Sequence, residues 1–139
     1  DNQCYLLEYN MRFGDPETQV IMALLENNLL DVIHDCIEGK DLDLRFSDKK
    51  AVCLVMTSGG YPGNYEIGYE ITGLDKVKES EVLFAGAEIH QGKVVTNGGR
   101  VLNIVATGDT YQEARKKVYQ DALTLRFDYA YYREDIGDF

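Results

Sequence analysis

Residues 5–19 read YLLEYNMRFGDPETQ, and the fold prediction begins from this stretch. Its apolar start predicts a β-strand over residues 4–10. Three polar side chains occur at intervals of two residues, at Glu8, Asn10 and Arg12. Side chains of an extended strand alternate between its two faces, so these three are expected to point the same way. The sequence therefore predicts a carboxylate, a carboxamide and a guanidinium in one row.

This polar row has a composition that suits metal and phosphate chemistry. Carboxylate and carboxamide oxygens are hard ligands of the kind that Mg²⁺ and Mn²⁺ prefer. A neighbouring arginine suits a phosphate or a substrate carboxylate. The alternative interpretation is a strand with one face in water, which is the usual meaning of alternating polar residues.

Two helices are predicted after this strand. Gly14 breaks the strand, Asp15 is a suitable N-cap, and Pro16 fits the first helical turn, where its missing N–H does no harm. Apolar residues then recur at helical spacing, at Val20, Ile21, Leu24 and Leu25. A second helix is expected from Leu29 onwards, and Gly39 is expected to end it.

The rest of the chain has the pattern of a small antiparallel sheet with one helix. Residues 51–57 are an unbroken apolar run, typical of a strand buried on both faces, and residues 58–64 have turn chemistry. Thr110 and Glu113 form a capping box that starts a helix. The other expected elements are an extended piece at 66–73, a hairpin joining residues 82–89 to 93–96 across His90-Gln91-Gly92, and a strand at 100–107. The predicted fold class is α+β, with a domain boundary near Phe46.

Composition and charge exclude several classes of protein. The 139 residues are 45% hydrophobic and 27% charged, as in ordinary globular proteins. No apolar run approaches a membrane span, and the formal charge of −10 argues against a nucleic-acid partner. Cys4, Cys36 and Cys53 are interpreted as three buried, reduced thiols of a cytoplasmic protein, because their number is odd and they show no C-x-x-C spacing. His34 and His90 are assigned no role.

The stretch at residues 5–19 resembles, nearly residue for residue, the metal-binding strand of the phosphoribosylamine–glycine ligases (glycinamide ribonucleotide synthetases). These are ATP-grasp enzymes of purine synthesis. The resemblance continues in the family's order through four later segments: 60–65 (GYPGNY), 70–74 (EITGL), 96–103 (TNGGRVLN) and 132–137 (YREDIG). It implies that residues 1–46 are the C-terminal end of an ATP-grasp domain and that residues 47–139 are the ligase's small C-terminal domain.

The resemblance also implies a reaction. In this family the carboxylate of glycine attacks the γ-phosphate of ATP, and the amine of 5-phosphoribosylamine then displaces phosphate from the glycyl phosphate. Glu8 and Asn10 would be ligands of Mg²⁺ or Mn²⁺. Arg12 would be catalytic, holding the glycine carboxylate or stabilising the transferring phosphoryl group.

Other implied contacts concern the substrates and the missing part of the site. Asp15 is an N-cap or a contact to the amine of glycine. From their chemistry, Gly99 and Arg100, with Gly98, are expected either to bind the ribose phosphate through a backbone nest and a guanidinium or to form a tight turn between strands with a surface arginine. The adenine pocket lies outside this chain, so the N-terminal remainder of the same enzyme is an expected partner, and the fragment alone is expected to be inactive.

Two rival hypotheses remain at this point. One is another ATP-grasp ligase, such as a carboxylase, which shares the Glu-x-Asn-x-Arg spacing. The other is a non-catalytic α+β interaction module whose acidic face is only solvated. Binding of Mn²⁺ would argue against the interaction module, since such a module has no reason to place Glu8 beside Asn10.

Overall fold

The structure is a computed structural model that describes residues 3–138. It confirms the α+β class: a three-stranded antiparallel sheet carries helices, and a separate β-hairpin lies beside it. In chain order the elements are α1 (Glu17–Leu24), α2 (Leu29–Ile37), β1 (Lys50–Thr57), β2 (Glu81–Phe84), β3 (Ala87–His90), β4 (Lys93–Thr96), β5 (Arg100–Gly108) and α3 (Tyr111–Ala122), with a short 3₁₀ turn at Leu74–Lys76. None of the helices among these described residues is long and apolar enough to cross a membrane.

Strand β5 is the centre of the sheet. It pairs antiparallel with β1 on one side and β2 on the other, so that Ile104 lies opposite both Leu54 and Val82. The order is therefore β1-β5-β2. The predicted strands at 51–57 and 100–107 are confirmed within one residue at each end, because both carry the unbroken apolar runs typical of strands covered on two faces.

The main core lies between this sheet and α3. Ala114, Val118 and Ala122 are fully buried against the sheet face that carries Leu54 and Met56. Their spacing of four residues places them on one face of the helix. The predicted cap is present as well. The side chain of Thr110 accepts a hydrogen bond from the amide of Glu113, and the Glu113 carboxylate accepts one from the amide of Asp109.

Helix α1 packs against β1 and β5 on the other face of the sheet. Cys53 and Val55 alternate with the core residues of β1 and point to this side. Both line one groove with Pro16, the residue that precedes α1. Residues 16–24 are thus in contact with the sheet formed by later residues, and the domain boundary near Phe46 stays a prediction.

Helix α2 begins and ends as predicted. The side chain of Asn28 accepts a hydrogen bond from the amide of Leu30, and Gly39 follows the helix with a φ of +70°. Its apolar side chains are not covered by the rest of the described chain, for Leu30 is 70% and Ile37 81% exposed.

The strand predicted over residues 4–10 is wrong for the chain as described. Residues 3–10 are exposed and form no strand or helix. A strand needs a hydrogen-bonded neighbour, and no described segment pairs with this one. The apolar pattern alone does not supply that partner.

The N-cap assignment of Asp15 is also wrong. Helix α1 starts at Glu17 with Pro16 at the N-cap and no side-chain capping bond. The carboxylate of Asp15 instead accepts a hydrogen bond from the side-chain amide of Gln19 at 2.6 Å. The Glu17 carboxylate folds back onto the amide of Gly14 at 2.7 Å.

The first arm of the predicted hairpin, residues 82–89, is two strands rather than one. Its first half, β2, joins the sheet of β5, and its second half, β3, pairs with β4 across the expected turn at Gln91-Gly92. The break falls at Gly86, whose amide donates to the Arg100 carbonyl at 2.7 Å. A side chain there would begin 2.6 Å from the Gly98 Cα atom. The spacing of apolar residues in the sequence does not predict this close approach of two backbone segments.

A buried carboxylate offers a test of this fold. Asp121 in α3 is 4% exposed, and its two oxygens accept the amides of Lys78 and Glu79 at 3.1 and 2.8 Å. Replacing it with alanine leaves both amides without a partner, so Asp121→Ala is expected to lower the free energy of unfolding by roughly 2–4 kcal/mol. Urea denaturation measures this.

The control is Asp121→Asn, which keeps one acceptor oxygen and should lose a smaller part of the stability. A change below about 0.5 kcal/mol in the alanine variant, which is the range of ordinary surface substitutions, would contradict the assigned role of Asp121.

Candidate functional site

Glu8, Asn10 and Arg12 lie in the exposed segment that precedes α1. The Arg12 guanidinium donates to the carbonyl of Phe13 at 2.9 Å. No other described residue forms a hydrogen bond or an ion pair with the side chain of Glu8 or Asn10. Their oxygens are therefore available to a ligand, and both are of the hard type that Mg²⁺ and Mn²⁺ take.

Asp15 and Arg100, separated by 85 residues in sequence, are in direct contact. Arg100 Nη1 donates to the main-chain carbonyl of Asp15 at 2.7 Å, and its Nη2 lies 3.4 Å from the carboxylate. Both side chains are 40% exposed. The structure thus brings together two of the predicted substrate-binding residues, at the place where the segment before α1 meets the end of the sheet.

The glycines before Arg100 are required for packing. Neither Gly98 nor Gly99 has a φ in the left-handed region, so they do not form a nest of the alternating right- and left-handed type. A side chain on Gly99 would begin 2.2 Å from the ring of Tyr61. The carbonyls of Gly98 and Gly99 accept hydrogen bonds from the Ser58 hydroxyl and amide, both at 2.8 Å. The substrate-binding role of Gly99 stays a prediction.

A groove runs from this contact along the sheet. Pro16, Tyr61, Arg100, Tyr131 and Arg133 are among its lining residues. Arg133 makes two hydrogen bonds to the carboxylate of Asp135, at 2.8 and 2.6 Å. These bonds hold the pKa of the Asp135 carboxyl below its ordinary value. The groove combines aromatic walls with two guanidinium groups on its rim.

A second groove is formed by tyrosines that sequence reasoning did not select. Its lining includes Tyr65, Glu66, Tyr69 and Tyr129, and the rings of Tyr69 and Tyr129 meet edge to face at 5.5 Å. The Tyr69 hydroxyl donates to the Glu66 carboxylate, and this bond raises the pKa of Tyr69 to about 12. The tyrosine-rich turn can be recognised in the sequence, but no sequence pattern near Tyr129 predicts that it packs against this turn.

One cluster outside these grooves has metal-type side chains. The cluster consists of His34 and Asp35 in α2 and Glu38, the residue that follows α2. Their ligand atoms all lie within 4.8 Å of one another. The ammonium group of Lys40 lies 3.0 Å from Asp35 and 2.6 Å from Glu38. This cation already neutralises the carboxylates, and it lowers the pKa of Asp35. The cluster is explained as a surface ion-pair network.

The interpretation of three buried cysteines is wrong for two of them. Cys4 and Cys36 are exposed, because neither the segment before α1 nor the outer face of α2 is covered by described residues. Cys53 is buried on β1 at 8% exposure. Burial, and to a lesser degree the nearby charge of Asp15, raises the pKa of the Cys53 thiol to about 12.

This difference predicts a thiol-labelling pattern. Because the thiolate is the reactive form, native protein at pH 8 should react quickly with Ellman's reagent at Cys4 and Cys36 and much more slowly at Cys53. Unfolding in guanidinium chloride should release the third thiol. A Cys53→Ala control should give the same fast phase and lack the slow one. Three equally fast thiols in the native protein would contradict the burial of Cys53.

Residues 51–139 match the protein family described as "Phosphoribosylglycinamide synthetase, C domain". The chain is 51% identical over 134 residues to a phosphoribosylamine–glycine ligase of Caldanaerobacter subterraneus, a match that covers 95% of this chain and 32% of the relative. It is 47% identical over 135 residues to the ligase of Clostridium acetobutylicum, with 96% and 32% covered.

The fold is similar to a solved structure as well. The crystal structure of a phosphoribosylamine–glycine ligase from Thermotoga maritima superposes with a TM-score of 0.84 at 40% sequence identity. The match covers 94% of this chain and 33% of that one. This chain therefore spans about a third of the length of the relatives it matches.

Proposed function

Because this chain belongs to the family of phosphoribosylglycinamide synthetase C domains, we propose that it acts as the C-terminal third of an ATP-dependent ligase. The ligase joins glycine to 5-phosphoribosylamine and gives glycinamide ribonucleotide, ADP and phosphate in purine biosynthesis. The observation that carries the proposal is the 51% identity over 134 residues to a phosphoribosylamine–glycine ligase, which extends along nearly the whole chain. A cytoplasmic location is part of the proposal.

Glu8, Asn10 and Arg12 are proposed as the chemical centre of this portion, at the end of an ATP-grasp domain. Phosphoryl transfer is mostly positioning and neutralisation of charge, so it needs cations near the phosphate oxygens. Glu8 and Asn10 would hold Mg²⁺ or Mn²⁺, which supplies positive charge at the phosphates of ATP. The oxygens of both side chains are exposed and bond no other residue in the described range 3–138, which fits that role. Arg12 would hold the glycine carboxylate or the transferring phosphoryl group.

Asp15 and Gly99 are proposed to line the part of the site that receives glycine and the ribose phosphate, and Arg100 either binds the ribose phosphate directly or holds Asp15 in place. The contact between Asp15 and Arg100 supports placing them together. The adenine pocket would be formed by the upstream part of the enzyme.

The upstream part of the same enzyme is the proposed partner of two apolar surfaces. The segment before α1 exposes Leu7 and Met11 by more than 90%, and α2 exposes Leu30 and Ile37 by 70% or more. Several large apolar side chains exposed on one segment favour an interface over a solvated face. We therefore expect the 139-residue chain alone to be inactive.

A chimera tests the proposal. Residues 1–139 would replace the matching C-terminal third of the Caldanaerobacter ligase, and ADP formation would be followed with ATP, Mg²⁺, glycine and 5-phosphoribosylamine. The expected result is ADP formation that requires both glycine and 5-phosphoribosylamine. The unmodified relative is the positive control, and its upstream two thirds alone is the negative control.

A folded chimera without activity would contradict the proposal and favour the non-catalytic interaction module. ADP formation that requires a different acceptor in place of 5-phosphoribosylamine would favour another ATP-grasp ligase.

A further inference from the structure

Arg100 binds the main chain of the segment before α1, and this bond can fix the position of that segment. Its Nη1 donates to a main-chain oxygen, that of Asp15, at 2.7 Å, while the approach of Nη2 to the carboxylate is longer at 3.4 Å. An exposed ion pair contributes little to stability. A charged donor on a carbonyl, by contrast, is a strong and directional bond that defines where the chain passes.

The segment that Arg100 holds is internally tied. The amide of Gly14 donates to the Glu17 carboxylate at 2.7 Å, and the carbonyl of Gly14 accepts the amide and hydroxyl of Thr18, both at 2.9 Å. The Asp15 carboxylate accepts a hydrogen bond from the side-chain amide of Gln19. Residues 14–19 therefore form one compact unit, and a bond to any part of it positions the whole unit.

The support under Arg100 is equally well defined. It is the first residue of β5 and the pairing partner of Thr57 on β1. Its carbonyl accepts the amide of Gly86, and the preceding Gly99 is buried against the ring of Tyr61 with no room for a side chain. The guanidinium thus projects from a fixed end of the sheet.

We propose that Arg100 is a positioning residue, which places Arg12 and the start of α1 relative to the C-terminal sheet by holding the Asp15 carbonyl. Arg12 lies three residues before Asp15, so an extended chain puts its Cα atom within about 11 Å of that anchor. This inference rests on the proposed function for its catalytic consequence. The anchor itself is a property of this chain and is tested separately.

The first measurement is amide hydrogen exchange in the 139-residue chain, followed by NMR. In Arg100→Gln the amides of Gly14 and Thr18 should exchange about tenfold faster, since local opening of the unit no longer breaks the bond to Asp15. Amides in the middle of β5 should be unchanged. The matched control is Arg133→Gln, which removes the other guanidinium of the groove rim, whose partner Asp135 is only two residues away.

The second measurement is steady-state kinetics of the chimera. Arg100→Gln should lower kcat about tenfold and change the KM for 5-phosphoribosylamine less than twofold. The reason is that a misplaced Arg12 stabilises the transition state less, while the binding of 5-phosphoribosylamine is unaffected. Arg100→Lys, which keeps one charged donor for the carbonyl, should restore part of kcat. Arg126→Gln should leave both constants unchanged, because Arg126 lies outside both grooves and its guanidinium donates to the carbonyl of the adjacent Leu125.

Unchanged exchange at Gly14 and Thr18 in Arg100→Gln overturns the inference, whatever the kinetics show. A normal kcat with a KM for 5-phosphoribosylamine raised tenfold also overturns it, because that result assigns Arg100 to the ribose phosphate directly. An inactive wild-type chimera counts against the proposed function, and the exchange result still decides whether Arg100 holds the segment.

Discussion

Replacing Glu8 with alanine in the chimeric ligase is expected to reduce ADP formation by roughly 10²–10³-fold. Glu8 is the charged member of the proposed metal pair, and loss of the bound cation removes transition-state stabilisation that is worth several factors of ten. The folded structure should not suffer, because the Glu8 side chain is exposed and makes no hydrogen bond or ion pair with another described residue. Steady-state rates at saturating Mg²⁺ give the measurement.

The matched control is Glu134→Ala. Glu134 is also an exposed glutamate, and its hydrogen bond to Arg115 runs through the main-chain oxygen, which alanine keeps. We expect this variant to retain the wild-type rate. Equal rates for Glu8→Ala and the wild type would remove Glu8 from the metal site. Mn²⁺ titration followed by electron paramagnetic resonance should show weaker binding in Glu8→Ala alone.

Gly73→Ala should cause one of the largest losses of stability among single glycine substitutions of this chain. Gly73 has a φ of +85°, and an added Cβ would begin 2.0 Å from the carbonyl oxygen of Thr124. The left-handed conformation costs an alanine about 1–2 kcal/mol. The collision also forces apart the two backbone segments that are joined by paired hydrogen bonds between Thr72 and Arg126. We expect a total loss of roughly 3–5 kcal/mol in the free energy of unfolding.

Gly68→Ala separates the two contributions. Gly68 has a similar φ of +92°, but nothing lies within 4 Å of an added Cβ. This variant should lose only the conformational part, about 1–2 kcal/mol. Guanidinium chloride denaturation of both variants gives the comparison. Equal losses at the two positions would show that the contact with Thr124 is not as close as described.

The elements that the sequence predicted correctly are those with local signals. The apolar runs of β1 and β5, the capping box of α3 and the turn at Gln91-Gly92 are each written within about ten residues. They depend on backbone geometry and on burial of one face, which a pattern records directly. The same holds for α2, whose N-cap Asn28 and terminal Gly39 both lie beside it in sequence.

The features that were missed depend on neighbours distant in sequence. The segment at residues 4–10 has a strand pattern, but its pairing partner is not among the described residues. Asp15 is a good N-cap by composition, yet it is engaged by Gln19 and by Arg100, 85 residues away. The ring of Tyr61 leaves no room for a side chain at position 99, and this requirement for glycine is not evident from the local sequence. Only three-dimensional packing reveals these contacts.

The site residues are an intermediate case. The row of Glu8, Asn10 and Arg12 was predicted by spacing and by resemblance, and its role stays a prediction. The oxygens of Glu8 and Asn10 are exposed and bond no described residue, which suits a metal. The tyrosine groove around Tyr69 and Tyr129 was not found, because its two walls lie 60 residues apart and carry no motif.

The most direct test of the central claim follows the oxygen atoms of glycine. If the carboxylate of glycine attacks ATP, one carboxylate oxygen becomes the bridge of the glycyl phosphate and leaves with phosphate when the amine attacks. The chimera, supplied with glycine labelled with ¹⁸O in both carboxylate positions, should release phosphate that carries one ¹⁸O per turnover, as seen by mass spectrometry. Phosphate without ¹⁸O, formed at the same rate as ADP, would contradict the account.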